Sequence, residues 1–218
     1  MIYKGWVDAF FNDRSETRIV EVGVYRGDFA VRLMKAARLA SPQGDIHYTG
    51  IDLFKPLDDA LLLKENSLVP WSIDAVHDRI SKDCPFATIN LYSGDSASTL
   101  QQLAHELSRV DLIYIDAGHS VDSIGADWNA VRYVVAPGTL IVFDDYYEGR
   151  VDCGAKPIVD SIDVAVWEIE LTEARTCETR LGTVNLRQAL VRRRERFRPS
   201  LVSNAKKNHH GTFGGPTT

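Results

Sequence analysis

Short apolar, β-branched runs alternate with amphipathic helical stretches along most of this chain. The runs are too short for helices and are typical of buried strands. Parallel strands need a crossover connection of about a dozen residues or more, usually a helix, and the intervening stretches have that length. The alternation therefore predicts a parallel sheet with helices on both faces. Strands are predicted at residues 19–24, 46–53, 87–92, 111–115 and 139–143, and helices at residues 28–40, 57–83 (divided at Pro70), 96–107 and 121–135.

The alternation changes after residue 147. A helix is predicted at residues 158–166, followed by strands at residues 168–172 and 183–191 with little room for a crossover helix between them. These two strands should therefore pair antiparallel. The predicted fold class is α/β, with a seven-stranded, mostly parallel sheet, helices on both faces and an antiparallel last strand.

The length and hydrophobic content suit one globular domain. The chain has 218 residues, of which 44% are hydrophobic. We expect the domain to span residues 1–192 and to begin with a helix within residues 1–15. Ile2, Trp6 and Phe10 fall on one face of that helix, which favours packing on the domain and leaves a homo-oligomer open. Residues 193–218 are rich in Arg, Lys, Asn, Gly and Thr, and a disordered tail is expected there.

The overall charge favours a small-molecule partner. A net charge of −5 gives no general electrostatic reason to bind nucleic acid or an anionic membrane. The three cysteines form no C-x-x-C pair, so neither a disulfide framework nor a zinc site is indicated. The first residues lack the apolar stretch of a signal peptide, and no apolar stretch is long enough to span a bilayer. A cytoplasmic protein is expected.

Three carboxylates and a histidine follow two of the most apolar runs. Asp116 ends the run VDLIYI, Asp144 and Asp145 end the run TLIVF, and His119 comes three residues after Asp116. Ligands of open α/β sheets bind outside the carboxyl ends of the strands, so acids from two strands are candidates for one shared site. Adjacent acids after an apolar strand are costly unless a cation lies near them, which favours a metal. Both members of the Asp144–Asp145 pair can bind it only if the chain leaves extended geometry there.

A glycine-containing turn follows the first predicted strand and opens a helix. It runs from Glu21 through Gly23 and Tyr25 to Gly27 and does not match the dinucleotide pattern G-x-G-x-x-G. An acid before the first glycine would repel a pyrophosphate, so the turn suits a cationic or zwitterionic ligand better. Taken alone, the pattern also fits a turn whose glycines are only structural.

Two further acids end the next strands along the same edge of the sheet. Asp52 closes the second strand, where a carboxylate can accept hydrogen bonds from both ribose hydroxyls. Asp95 closes the third strand and could reach an adenine amino group. It is equally suited to cap the helix that begins at Ser96 or Ala97.

Five segments, EVGVYRG, YTGID, SGDS, DAGH and FDDY, occur in this order within residues 18–192. In that order they resemble the class I S-adenosylmethionine-dependent methyltransferases. The resemblance is closest to the metal-dependent O-methyltransferases that act on sugar hydroxyls of macrolide and aminocoumarin antibiotics and on related small molecules. It implies a Rossmann-like fold. It also implies that Glu21 and Gly23 lie near the methionine moiety, that Asp52 holds the ribose, and that Asp95 and Ser96 border the adenine.

The proposed reaction needs an acceptor that is both aligned and nucleophilic. A sugar hydroxyl is a poor nucleophile at neutral pH, and a bound divalent cation would lower its pKa. Three carboxylates suit Mg²⁺, or Mn²⁺, and we assign Asp116, Asp144 and Asp145 to the metal, as the resemblance also implies. His119 is suited to take the hydroxyl proton, although it could instead bind the metal or donate to the substrate.

Two other functions fit parts of the sequence. An NAD(P)-dependent oxidoreductase would also use an acid such as Asp52 after a glycine turn, but the glycine spacing counts against it. A non-catalytic cofactor-binding subunit would keep the fold without turnover, and the presence of the three acids with His119 counts against that. The sequence does not specify the methyl acceptor.

Overall fold

The structure is a computed structural model that describes residues 4–55, 57–65, 71–107, 109–131, 134–179 and 182–194. The predicted break at Pro70 lies outside the described residues, as does almost all of the predicted tail. The strands are β1 (Glu16–Val22), β2 (Asp45–Asp52), β3 (Ala87–Ser93), β4 (Leu112–Ile115), β5 (Leu140–Tyr147), β6 (Trp167–Leu171), β7 (Arg175–Thr179) and β8 (Gly182–Arg193). The helices are α1 (Lys4–Phe11), α2 (Asp28–Ala40), α3 (Asp59–Lys64), α4 (Ile73–Asp83), α5 (Ser96–Gln102), α6 (Val121–Val131) and α7 (Lys156–Asp160).

The strands form one sheet in the order β3-β2-β1-β4-β5-β8-β6, with β7 paired to β8. Strands β1 to β5 run parallel, whereas β8 is antiparallel to β5 and to β6. This confirms the predicted fold class. Strand order reverses between β1 and β4, which is the position where α/β sheets of this kind open a ligand crevice.

Side chains on alternate positions of the central strands enter two separate cores. In β4, for example, Ile113 and Ile115 pack in the core that includes Trp128 of α6, while Leu112 and Tyr114 pack in the opposite core. All four residues of β4 are buried, as expected of a central parallel strand covered on both faces. The apolar side of α1 packs into the second core, where Val7 and Phe11 are buried.

Several elements differ from the sequence prediction. Helix α5 ends at Gln102 rather than at residue 107, and α7 spans Lys156–Asp160 rather than residues 158–166. Strand β7 is an eighth strand that was not predicted. Strand β5 continues past Phe143 to Tyr147, so Asp144 and Asp145 lie within a strand rather than after its end.

None of the helices in the described part of the chain is long and apolar enough to cross a bilayer.

Candidate active site

A cavity of about 700 Å³ opens at the carboxyl ends of β1 and β4. Its lining includes all six predicted cofactor-binding residues together with Asp116 and His119, whereas Asp144 and Asp145 are not among the lining residues. Its wall is strongly acidic, and the basic side chains among its described lining residues are Arg32 and His119. The acidic lining residues are Glu21, Asp28, Asp52, Glu65, Asp95, Asp116, Asp122 and Asp127.

Backbone geometry joins the glycine turn to the strand that carries Asp116. Gly23 has a φ of +91°, and a Cβ placed on it would overlap the carbonyl group of Asp116. The amide of Asp116 also donates to the carbonyl of Val22 over 2.8 Å. Only glycine combines this conformation with so close an approach. The turn and the first acid of the reaction site are therefore held together as one unit.

The carboxylate of Asp52 binds the backbone of the glycine turn. Its Oδ2 accepts from the amides of Val24 and Tyr25 over 2.8 and 2.7 Å, and its Oδ1 accepts from Leu53 over 2.6 Å. A carboxylate offers about four acceptor positions, so three of them are occupied by the protein itself. Asp52 therefore shapes the turn, and little capacity remains for the two ribose hydroxyls that the sequence assigned to it.

Glu21 lines the cavity and is buried. Its Oε2 accepts a hydrogen bond of 2.5 Å from the hydroxyl of Tyr48. Burial raises the pKa of Glu21 to about 8, against the opposing effect of the Tyr48 hydrogen bond. The side chain is therefore protonated at neutral pH.

The predicted adenine end of the cavity contains a residue that the sequence prediction missed. Asp95 caps α5, because its Oδ1 accepts from the amide of Ser98 over 2.9 Å. Ser96 donates its hydroxyl to the buried carboxylate of Asp127 on α6. Burial raises the pKa of Asp127 to about 7, against the Ser96 hydrogen bond. Asp127 lies three residues after buried Ile124, so its position on the apolar side of α6 was a signal in the sequence.

Asp116, His119 and Asp145 converge at the other end of the site. One possible ligand atom from each residue lies within 4.8 Å of the other two, which is close enough for all three to contact one metal ion. Among the described His, Cys, Asp and Glu residues, this is the group with that arrangement. Nε2 of His119 lies 2.5 Å from Oδ2 of Asp145. Burial lowers the pKa of His119, but the hydrogen bond and charge of Asp145 outweigh it and raise that pKa to about 9.

Asp144 is not part of this group, and its carboxylate accepts from Gln188 instead. The register of β5 against β8 shifts between Phe143 and Tyr146, so that Asp144 and Asp145 together lie opposite Gln188. Asp145 has a φ of +53°, and such a bulge turns neighbouring side chains in different directions.

Burial and the charge of Asp145 raise the pKa of Asp144. Burial and the charge of Asp144 likewise raise the pKa of Asp116.

Gln188 links Asp144 to the N-terminal helix. Its side-chain NH₂ group donates to the hydroxyl of Tyr114 over 2.5 Å and to Oδ1 of Asp144 over 3.3 Å. Its side-chain carbonyl accepts from Nε1 of Trp6 over 2.9 Å. The sequence prediction did not include Gln188, whose role depends on the pairing of β5 with β8.

Glu65 is a second residue that the sequence prediction missed. It follows α3 directly and is only 7% exposed. Its carboxylate accepts from the amide and hydroxyl of Ser120 over 3.0 and 2.9 Å and from the hydroxyl of Ser123 over 2.9 Å. Its backbone carbonyl accepts from Nδ1 of His119 over 2.8 Å. No motif in the sequence indicated this residue.

The sequence matches a family model described as a methyltransferase domain over residues 20–146. No curated protein sequence matches the chain.

Several solved structures share the fold. The O-methyltransferase NovP is 20% identical with a TM-score of 0.56, over 82% of this chain and 72% of NovP. An O-methyltransferase from Bacillus cereus, solved in complex with SAH, is 16% identical with a TM-score of 0.55, over 88% of this chain and 83% of that chain. An rRNA methylase from Streptococcus thermophilus is 12% identical with a TM-score of 0.55, over 89% and 99% of the two chains. At these identities the likenesses show the fold alone.

Proposed function

The chain belongs to the methyltransferase-domain family, and we propose that it is an S-adenosylmethionine-dependent, metal-dependent O-methyltransferase. Its acceptor would be a hydroxyl group of a small molecule or a glycosyl unit. The observation that carries the proposal is the single cavity that contains the glycine turn together with Asp116 and His119.

The charge of the cavity supports the choice of cofactor. S-adenosylmethionine would supply a methyl group on a positively charged sulfonium and carries an ammonium group as well. Eight acidic residues line the cavity, whereas Arg32 and His119 are the basic ones among its described lining residues. A cationic ligand is attracted to such a wall, and the pyrophosphate of a nicotinamide dinucleotide is repelled by it. The oxidoreductase alternative is therefore not favoured.

Each cofactor-binding residue has a proposed task. Glu21, ionised by the ammonium group, would bind the methionine end next to Gly23. Asp52 would hold the turn and Tyr25 in place and use its remaining acceptor position for the ribose. Ser96, with Asp127, would border the adenine, and Asp95 would fix the start of α5 beneath it.

The donor set fits a hard divalent cation. Asp116 and Asp145 follow or lie in two different strands, and their carboxylate oxygens come within 4.8 Å of each other. Mg²⁺ and Mn²⁺ both prefer oxygen ligands of this kind. Clustered acids that are partly removed from water are costly without a counter-charge, which gives a second reason for a cation here. Bound there, the cation would lower the pKa of an acceptor hydroxyl and fix its position. Asp144, which precedes Asp145 in the chain, is proposed as a further ligand of the cation.

His119 would remove the proton from the acceptor hydroxyl. Its Nδ1 is committed to the carbonyl of Glu65, so only Nε2 faces the reaction site. Asp145 holds a proton on that ring in the metal-free protein. Once the charge of Asp145 is neutralised, His119 would release this proton and could act as a general base.

The acceptor is proposed to be a small molecule and not a nucleic acid. The likeness to an rRNA methylase concerns the fold alone. The net charge of −5 and the acidic cavity would both repel a phosphate backbone.

Calorimetric titration with S-adenosylhomocysteine and with NADH, each with and without Mg²⁺, tests the proposal. We expect S-adenosylhomocysteine to bind and NADH not to bind. Binding of NADH alone would overturn the methyltransferase assignment. With the cofactor identified, glycosides and catechols are the acceptors to screen for Mg²⁺-dependent methyl transfer.

A further inference from the structure

We infer that Glu65 is a positioning residue that orients the imidazole ring of His119 toward Asp116 and Asp145. The role of His119 as the base rests on the proposed function. The orientation of its ring follows from contacts among the described residues alone.

The carboxylate of Glu65 anchors the segment that carries His119. Both of its oxygens accept hydrogen bonds, from the backbone amide of Ser120 and from the hydroxyls of Ser120 and Ser123. These donors lie just after His119 and in the first turn of α6. Burial raises the pKa of Glu65, but the amide of Ser120 and the two hydroxyls together outweigh it and keep that pKa below its ordinary value. The carboxylate is therefore a charged acceptor, which makes strong hydrogen bonds.

The same residue holds the histidine ring through its backbone. The carbonyl of Glu65 accepts from the amide of His119 over 3.3 Å and from Nδ1 of its ring over 2.8 Å. A carbonyl can only accept, so Nδ1 must carry a proton. That hydrogen bond directs Nε2 to the other side of the ring, where Oδ2 of Asp145 lies 2.5 Å away. A partner on the second nitrogen commonly sets the orientation of a functional histidine.

Close packing leaves little room for another arrangement. A Cβ placed on Gly118 would overlap the carboxylate of Glu65, so the backbone beside His119 lies directly against this side chain. Loss of the carboxylate would remove three hydrogen bonds at once, and the carbonyl of residue 65 would no longer be held against the ring. His119 would then turn more freely, and Nε2 would lose its fixed direction.

The Nδ1 proton of His119 offers a direct measurement. In ¹⁵N-histidine-labelled protein, this proton should give a resolved signal in either charge state of the ring, because its hydrogen bond slows exchange with water. In Glu65→Ala we expect exchange to be faster by a factor of roughly ten to a hundred, as for loss of a hydrogen bond to a charged group. Glu65→Gln keeps one acceptor oxygen and should restore part of the protection. Asp59→Asn, an exposed acid on α3, is the matched control and should behave as the wild type.

A signal that is equally protected in Glu65→Ala and in the wild type would overturn the inference. If Glu65→Ala does not fold, the double variant Ser120→Ala/Ser123→Ala decides the question, since it removes two of the three donors to the carboxylate. Faster exchange in that variant supports the inference, and unchanged exchange overturns it.

Addition of Mg²⁺ alone separates this inference from the proposed function. If the metal binds beside His119, the Nε2 resonance of the wild type should shift, and the shift should be smaller in Glu65→Ala. Wild-type protein with a protected Nδ1 proton but no response of Nε2 to Mg²⁺ would contradict the metal site while leaving the positioning by Glu65 intact.

Discussion

Gly23 and Asp116 are in direct backbone contact, although one belongs to the proposed cofactor turn and the other to the proposed metal group. A side chain at position 23 would overlap the carbonyl of Asp116. The two halves of the proposed reaction are therefore set at a fixed separation by main-chain packing. This matters for methyl transfer, in which alignment of the reacting atoms can contribute about 7–11 kcal/mol.

Gly23→Ala should abolish binding of S-adenosylhomocysteine and lower the melting temperature. The substitution adds both left-handed backbone strain and an overlap with Asp116. Gly138→Ala is the control, because Gly138 has a similar φ of +86° but nothing within 4 Å of its Cβ position. That control should cost only the strain, about 1–2 kcal/mol. Equal melting temperatures and equal affinities in the two variants would show that the contact is unimportant.

Asp145→Asn should weaken Mn²⁺ binding more than Asp144→Asn does, as measured by calorimetry without cofactor. Asp145 faces Asp116 and His119, whereas Asp144 is bound to Gln188 and Tyr114. For Asp144→Asn we expect the roughly tenfold to hundredfold loss typical of residues behind the metal ligands. Exposed Asp152 supplies a control substitution to Asn. An equal loss in both variants would make Asp144 a direct ligand, as the sequence analysis predicts.

His119→Gln should reduce methyl transfer by a factor of about 10² to 10⁴ while leaving the dissociation constants of Mn²⁺ and S-adenosylhomocysteine unchanged. The reason is that a general base contributes to the chemical step and not to ground-state binding. The same substitution at exposed His77 on α4 serves as the control. Loss of Mn²⁺ affinity together with turnover would instead identify His119 as a metal ligand.

Glu21→Gln should stabilise the metal-free protein increasingly as the pH rises from 5 to 8. Because the pKa of Glu21 is about 8 in the folded protein and ordinarily 4.5, the folded state holds a proton that the unfolded chain has lost. The contribution of Glu21 to stability therefore falls across that range and becomes constant above it. The variant avoids this fall, which amounts to a few kcal/mol at about 1.4 kcal/mol per pKa unit.

Thermal unfolding in EDTA between pH 5 and pH 9 measures the difference between Glu21→Gln and the wild type. Glu173→Gln, which alters an exposed carboxyl, is the control. Parallel profiles for wild type and Glu21→Gln would mean that Glu21 is ionised in the folded protein.

The main elements of the fold could be predicted because their signals are local. Apolar runs and helical periodicity gave the five parallel strands and the antiparallel pairing of β6 with β8. Strand β7 carries no such signal, since its sequence RTCET is largely polar and its residues are at least partly exposed. Strands β5 and β6 pair with residues 186–193 of β8. The first part of β8, from Gly182 to Leu186, extends beyond β6, and β7 forms by pairing with it.

The sequence could predict which residues form the candidate site, but not how their side chains are oriented. Positions at strand ends indicated Asp116, His119 and Asp145, which the structure brings together. The separation of Asp144 from this group arises from a bulge that depends on the register of β5 against β8. The part played by Glu65 depends on a contact between residues 54 or more positions apart in the chain. Neither feature leaves a local trace in the sequence.

The hydrogen bond between Trp6 and Gln188 connects the N-terminal helix to the strands beneath the proposed metal site. Gln188 is oriented from one side by helix α1 and from the other by Asp144, in the bulge that supplies Asp145. An affinity tag that disturbs α1, or a truncation that removes it, would therefore alter the packing beneath the proposed metal site. Weak activity of such a protein would reflect the disturbed packing and not the activity of the intact chain.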